Sequence, residues 1–377
     1  MNITRRGCLK AISQGVAAGF VAGSAQALAV GARAESKAAS SKLGLPGLYP
    51  GRVCAVESPA VLVSGKYQAE QVRTMMRRGM MELTGADGWV DAWRQFFEPG
   101  DVVGIKLNPV GRPAVVSDAT VVQEIIAGLE AAGVKRQDIV AYDRYRREFY
   151  LAGFDKWLPE GVRISHAAEE VDDVQQNIEG YDPDHYMDMA LTLPGYSVDN
   201  VTARRSYAAQ FITKQVNKVV NLPVLKDHQS AGITICLKNL SHGLVNNVNR
   251  THSSPSLNAC NAFIPAVVAL PVIRSKVVLN ICDGVKGQYH GGPGGRPEFV
   301  WEHKTLYFST DPVAMDHIGW EVIDAQRLSV GMKKLVESTP DKFSTYVHRQ
   351  PEHVEIAGAL GLGVWDRAKI DFRKVTV

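Results

Sequence analysis

None of the five cysteines in this 377-residue chain stands in a C-x-x-C pair. That absence excludes an intrinsic iron–sulfur cluster, a zinc ribbon and a thioredoxin-type dithiol, all of which need closely spaced thiols. Long apolar runs are missing too, so no stable membrane span is expected, since a spanning helix needs about 20 strongly apolar residues. H-E-x-x-H, G-x-x-x-x-G-K-[ST] and a G-x-G-x-x-G opening a helix do not occur, which removes common zinc-protease, P-loop and dinucleotide signatures. Neither charge dominates, with 42 basic residues against 39 acidic ones. No internal repeat is visible, and no low-complexity segment beyond the N-terminus.

What the chain does have begins at its first residues. Thr4-Arg5-Arg6 precedes Leu9-Lys10, and a weakly apolar Ala/Gly-rich run follows from Gly15 to Val30. Small-x-small sites close it at Ala27-Leu28-Ala29 and Ala32-Arg33-Ala34. A basic start, an apolar middle and a small-residue end make a signal peptide. The paired arginines resemble the bacterial twin-arginine export signal, with Cys8 where that pattern usually has phenylalanine. The resemblance implies handling by the twin-arginine (Tat) translocase, periplasmic localisation and export of an already folded chain. Removing residues 1–34 leaves 38 basic and 39 acidic residues. The net positive charge therefore belongs to the signal, and no nucleic-acid footprint remains. In an oxidising compartment one disulfide could form. Cys282 lies in an apolar run and reads as a buried thiol, which leaves Cys236 and Cys260 as the expected pair if one exists.

Residues 35–50, with Pro46, Gly47 and Pro50, read as a solvated, flexible leader, and residues 51–377 as a single α/β domain. Val102–Leu107 reads as a strand and Asp138–Asp143 as another. Between them Ser117 or Asp118 can cap a helix carrying Val121, Val122, Ile125, Ile126 and Leu129, ended by Gly133. That is a strand–helix–strand unit of the length a right-handed parallel crossover needs. Val216–Leu222 predicts a strand followed by a Lys/His-bearing loop, and 231–245 a helix. Lys276–Cys282 reads as a buried strand ending on Asp283-Gly284. Thr305–Ser309 is a further strand, running into a helix from Pro312 to Ile323 capped by Thr310 or Asp311. The polar stretch 160–205 reads as an insertion. The expected fold is therefore a mostly parallel, open, Rossmann-like sheet with helices on both faces. Ligands in such folds sit outside the carboxyl ends of the strands. Those ends would be Lys106/Asn108, Asp143, Lys226/His228, Asp283 and Asp311.

The segment Leu222–Leu240 concentrates the chemistry. Lys226, Asp227 and His228 put a cation, a carboxylate and an imidazole together. Lys238 and His242 share one helical face downstream, and Asn239 lies beside them. Such lysines could hold a carboxylate or phosphate, or one desolvated lysine could act as base or nucleophile. The catalytic candidates are thus Lys226, His228, Lys238, Asp283 and His290, with Lys106, Asn108 and Asn239 binding substrate. Gly287–Pro297 could bring backbone N–H groups to an anion at Gly291 and Gly292, clamped by Arg296. A divalent metal is a second option: His228, His242, His252 and His290, with Asp283 and Asp311, supply ligand-type groups, and His228, His242, His290 and Asp311 are the chosen set, although no tight ligand spacing supports it.

Leu222–Leu240 resembles the signature of the family catalogued as domain of unknown function 362. Asp283–Gly295, Ser309–Asp316 and Gly358–Gly363 resemble it too, so with the Val102–Asn108 strand the likeness spans roughly residues 100–365. Some members of that family carry an added ferredoxin-like cysteine module, which implies redox company; this chain has no such module. The leading expectation is a periplasmic enzyme acting on a small anionic substrate by redox, proton-transfer or hydrolytic chemistry. The alternative is a non-catalytic ligand-binding, maturation or accessory protein for an exported redox partner.

Overall fold

The computed structural model describes residues 42–377. The signal read over 1–34, and residues 35–41 of the leader, lie outside them. From Leu45 the leader is packed, which corrects its reading as a solvated, flexible segment. Leu45 is buried and its N–H donates to the Arg274 carbonyl at 2.8 Å. Tyr49 N–H donates to the Thr310 hydroxyl at 3.0 Å.

The strands are β1 (Arg52–Glu57), β2 (Leu62–Val63), β3 (Lys66–Tyr67), β4 (Val103–Lys106), β5 (Ile139–Tyr142), β6 (Arg163–Ser165) and β7 (Tyr181–Asp188). They continue as β8 (Arg205–Ala209), β9 (Lys218–Asn221), β10 (Val224–His228), β11 (Gly232–Thr234), β12 (Val277–Gln288), β13 (Val300–Ser309) and β14 (Asp371–Thr376). The main sheet runs β14–β1–β13–β12–β9–β4–β5–β6, with β10 beside the far half of β12 and β11 folded back on β10. Most pairs are parallel, as an α/β fold requires. Along the main run β13 is the exception, antiparallel to both β1 and β12, and beside it β11 is antiparallel to β10. The 160–205 stretch supplies edge strand β6 and most of a separate β7–β8 ribbon.

Helices α1 (Ala69–Thr84) and α2 (Ala119–Ala131) cover one face, burying Met75, Met80, Val121, Ile125 and Leu129. Helices α3 (Cys236–Leu244), α4 (Cys260–Val268) and α5 (Pro312–Ser329) cover the other, around Leu237, Leu240, Phe263, Val313 and Ile318. Each such side chain contributes about 1.5–3 kcal/mol by leaving water. Asp118 caps α2 by accepting from Thr120 N–H at 2.9 Å. Ser117 instead ties the loop after β4 to β9, accepting from Asn108 N–H and donating to the Leu222 carbonyl.

Three expectations about this region change. The Lys/His-bearing loop is strand β10, and the first residues of the expected 231–245 helix form β11. Gly232 sits at φ +79°, a left-handed turn that lets the chain double back before α3 begins. β12 does not stop at Asp283-Gly284 but continues to Gln288 through a bulge. Finally, all four described cysteines are free and buried. Cys236 Sγ lies 3.2 Å from Met315 Sδ, while Cys260 Sγ contacts Ser230 and Thr251. The expected Cys236–Cys260 pair is absent.

Candidate functional site

Three elements meet at the carboxyl end of β4: strand β10, helix α3 and the loop after β4. Side chains alternate along a strand, so Lys226 and His228 share one face of β10 while Asp227 takes the other. Helix α3 brings Lys238, Asn239 and His242 onto the Lys226 face. Its N-terminus is held by Asp316 of α5, whose carboxylate accepts from Cys236 N–H at 2.7 Å and Leu237 N–H at 3.0 Å. A carboxylate there also complements the helix dipole. Gly243 permits the close approach, because a Cβ at that position would lie 2.2 Å from Lys106 Cε.

A directional chain of amides fixes the centre. Lys226 Nζ donates to Asn108 Oδ1 at 2.9 Å, and Asn108 Nδ2 to Asn239 Oδ1 at 3.0 Å. Asn239 Nδ2 then donates to Asn221 Oδ1 at 2.8 Å, and Asn221 Nδ2 to Asn280 Oδ1 at 2.9 Å. Every carboxamide accepts from the lysine side and donates away from it, so the dipoles align and reinforce one another. Amide orientations follow from this network. Asn221 and Asn280 were not singled out in the sequence, although an asparagine inside each of two β-branched runs signals a buried polar partner.

Lys106 is fully engaged. Its ammonium donates to the Leu107 carbonyl (2.5 Å), Asp143 Oδ1 (2.6 Å) and Asn239 Oδ1 (3.3 Å). Three donors meet three acceptors, so Lys106 holds the framework and is not free to bind a ligand, contrary to expectation. Lys226 and Lys238 differ. Lys226 is fully buried and Lys238 is 7 % exposed, and among the described residues neither forms an ion pair. Burial first, and then the neighbouring Lys238 charge, pulls the Lys226 ammonium down to about 7. Burial pulls Lys238 down to about 8. Arg144, which sequence reasoning passed over, adds a third buried cation, donating to the Val245 carbonyl and stacking on Tyr145.

His228 has a defined role by its hydrogen bonds. Its Nδ1 accepts from Ser230 N–H (3.1 Å) and Ala231 N–H (3.2 Å). The ring proton is therefore on Nε2, and burial with the Lys238 charge holds the imidazole neutral. A neutral ring with Nδ1 occupied is a donor through Nε2. It does not suit the metal-ligand role expected of it, because a ligand histidine keeps its proton on the nitrogen away from the metal, and here Nδ1 accepts from two N–H groups and leaves the proton on Nε2.

The remaining candidates lie elsewhere. His290 Nε2 is 2.9 Å from Asp341 Oδ2, and its Nδ1 accepts from Arg327 and Arg349 at 3.2 Å each. Both nitrogens are taken, so His290 is neither ligand nor base. It belongs with Asp227, whose Oδ2 meets Arg349 Nη1 at 3.0 Å. Asp283 accepts from Tyr67 Oη, Asp118 N–H and Val285 N–H. Burial and the adjacent Asp118 raise it to about 7, but its acceptors are already filled. Asp311 follows antiparallel β13, whose last residue Ser309 pairs with Asn280, and from there the chain turns its carboxylate toward the leader and the C-terminal segment. There it accepts from the Gly51, Val313, Ala314 and Val364 N–H groups. It stitches the fold and cannot join His242. In the glycine loop, Gly292 N–H donates to Asp227 Oδ1 at 2.8 Å and Gly292 O accepts from Gln229. Arg296 leans over Phe343, and Gly291 lies beside the Arg296 side chain. That loop is a packed wall and does not cradle an anion. A cavity of about 520 Å³ lies among Tyr145, His166, Asp172, Gln175, Tyr181 and Asn246. None of the sequence-chosen residues lines it.

A family model described as "Domain of unknown function (DUF362)" matches residues 103–321, which contain the whole of this cluster. No curated protein matches the chain. Among solved structures, a structural-genomics protein from Thermotoga maritima is similar at 13% identity and a TM-score of 0.36. The match covers 72% of this chain and 61% of that one.

Proposed function

The chain belongs to the DUF362 family, and we propose that it is an exported, periplasmic enzyme whose Lys226–Lys238–His228 cluster binds and acts on a small anion. One observation carries the reading: two lysine ammonium groups are buried side by side without a carboxylate on either. A buried charge without a partner is strongly unfavourable, and an anion is the group that would relieve it. Lys226 has spent one of its three N–H donors, on Asn108, and His228 offers Nε2–H. Together these would hold a carboxylate or phosphate from two sides, with Arg144 adding positive field.

The same arrangement supplies proton-transfer chemistry. A lysine near neutrality is divided between ammonium and free amine at working pH, which suits a general base or nucleophile. In this reading Lys226, fixed by the amide chain, moves the proton. Lys238 neutralises the anion, and His228 donates to the oxygen on which charge develops.

Binding of inorganic phosphate and a panel of small carboxylates, measured by calorimetry on the full mature chain, tests the proposal. At least one should bind, and Lys238→Ala should weaken it tenfold or more, about 1.4 kcal/mol. Folded protein with no affinity for any of them, and none carried through purification by native mass spectrometry, would overturn it. Export is tested separately by cell fractionation. Replacing Arg5 and Arg6 by lysine should retain the protein in the cytoplasm; a wild-type protein found there already would sink that part.

A further inference from the structure

Beside the lysine cluster stands a second group that the anion reading does not use. One ligand atom from each of His242, His252 and Cys260 lies within 4.8 Å of the other two. Cys260 is buried and both histidines are half-buried. The two rings meet edge-on with centroids 5.4 Å apart. We propose that these three side chains form a metal site for a thiophilic divalent ion of the zinc type, next to Lys238.

The hydrogen bonds around the group favour this over a simple polar cluster. Thr251 Oγ1 sits among all three, 3.4 Å from His242 Nε2, 3.0 Å from His252 Nδ1 and 3.8 Å from Cys260 Sγ. Its one proton goes to the Val248 carbonyl at 2.7 Å, so it has none to give the rings. On the far side of His242, Ser241 Oγ donates to the Lys238 carbonyl and lies 3.0 Å from His242 Nδ1. Nδ1 must then carry the ring proton and donate it to Ser241. His242 Nε2 is left as a bare lone pair facing a hydroxyl lone pair. That is the tautomer of a metal-bound histidine, whose other nitrogen donates to an oxygen in the surrounding shell. His252 faces the same oxygen through Nδ1 at 3.0 Å, and as a neutral ring it keeps a lone pair on one of its two nitrogens.

The donor set decides the class of ion. Two imidazoles and a thiolate are nitrogen and sulfur donors of the kinds zinc accepts, and three of them leave a fourth position for water or substrate; the same His₂Cys set also suits copper, which metal analysis tells apart. A tetrahedral ion holds such ligand atoms roughly 3.3–3.8 Å apart, so the group needs to close by at most about 1.5 Å. His242 and His252 are both among the histidines the sequence offers as ligands, but Cys260 is not, and the three stand 10 and 8 residues apart, a spacing that does not group them. The site stands on its own geometry and does not require the anion reading.

The test is metal content and cobalt substitution of the full mature chain. Protein purified without chelator should carry close to one zinc-type ion per chain. Stripped and reloaded with Co(II), it should show a thiolate-to-cobalt charge-transfer absorption in the near ultraviolet. Cys260→Ser should abolish that band, and His252→Asn should weaken metal retention at least tenfold, with circular dichroism confirming the fold of each. Lys238→Met should keep the metal, so loss of anion binding in that variant is separable from loss of the ion. Wild-type folded protein that retains no ion and develops no cobalt band overturns the proposal, whatever the variants do. So does a band that survives Cys260→Ser.

Discussion

Strand β10 separates two buried charged clusters, one on each face, and they treat the same electrostatic problem in opposite ways. On the Asp227 face two acids, Asp227 and Asp341, stand against two arginines, Arg349 and Arg327. Asp227 meets Arg349 and the Gly292 N–H, while His290 bridges both arginines to Asp341. On the Lys226 face the lysines are bound to neutral amides or to nothing charged, and Asp143 is committed to Lys106 while Asp227 is committed to Arg349. Asp227, Arg349, Lys226 and Lys238 are all buried. Balance on one side marks a structural joint that ties the 341–349 segment to the sheet. Imbalance on the other marks a place kept for something that arrives later. Adjacent residues of one strand thus have unrelated jobs, set by which way the side chain points.

The largest expected effect is on the balanced face. Arg349→Ala removes one half of a dry ion pair and strips His290 of a donor, leaving Asp227 charged and buried. Such a change costs about 3–5 kcal/mol, read as a lower urea midpoint with an unchanged slope. A loss under about 1 kcal/mol would mean the pair is exposed in solution, and the contrast between faces would fail. Next comes Asn239→Ala, which cuts the amide chain at its middle and orphans Asn108, Asn221 and one donor of Lys106. About 2–3 kcal/mol of stability should go with those contacts. Anion affinity should fall as well, because Lys226 loses its fixed position. Unfolding and calorimetry on the same preparation check both, and intact affinity would show that the amide chain does not position Lys226.

These residues also show what was legible in the chain. The crossover β4–α2–β5, the Asp118 and Asp311 caps and the α/β class follow from periodicity and capping chemistry, which are local. Lys226, Lys238 and His228 were readable as a group because strand end and helix lie close in sequence. Asp283, His290 and Asp311 were misplaced for one physical reason. Their roles depend on strand direction and on which face a side chain takes, and a single antiparallel strand, β13, or an extension of β12 by several residues changes both. Arg144, Asn221 and Asn280 carry no motif; their importance exists only in the sheet register that lines Lys106 up with Asn221 and Asn221 with Asn280.

A smaller effect sharpens the comparison on the unbalanced face. Lys238→Met replaces an unpaired buried cation by an apolar chain of similar length, so the ligand-free protein should gain about 1 kcal/mol in urea unfolding. It should also lose anion binding. A variant less stable than wild type by a similar amount would show that Lys238 has a partner after all, and the face would join the balanced class.

The pH dependence of that gain is the finest test. Lys238 has a folded pKa of about 8, below the roughly 10.4 of a free lysine. Below about 8 the side chain is charged in both states and the folded protein bears the full cost of its burial. From about 8 to 10.4 the folded state is neutral while the unfolded chain still binds the proton. Stability therefore rises with pH through that window. Other groups titrate nearby: Asp283 and Asp316, raised to about 7 by burial, and the buried thiols, pushed up by the same cause. Asp283, Asp316 and Cys54 are shared by wild type and Lys238→Met and largely cancel in the difference, whereas Lys226, which the Lys238 charge pulls down, rises in the variant and starts the narrowing somewhat below pH 8. The advantage of the variant should accordingly be largest near neutrality and shrink steadily from about pH 8 toward 10. A difference that stays flat across that range would show that the cost of Lys238 is packing, not charge. Saturating an anion-binding wild type with phosphate should erase the difference from its other end, by giving the ammonium the partner that the Asp227 face already has.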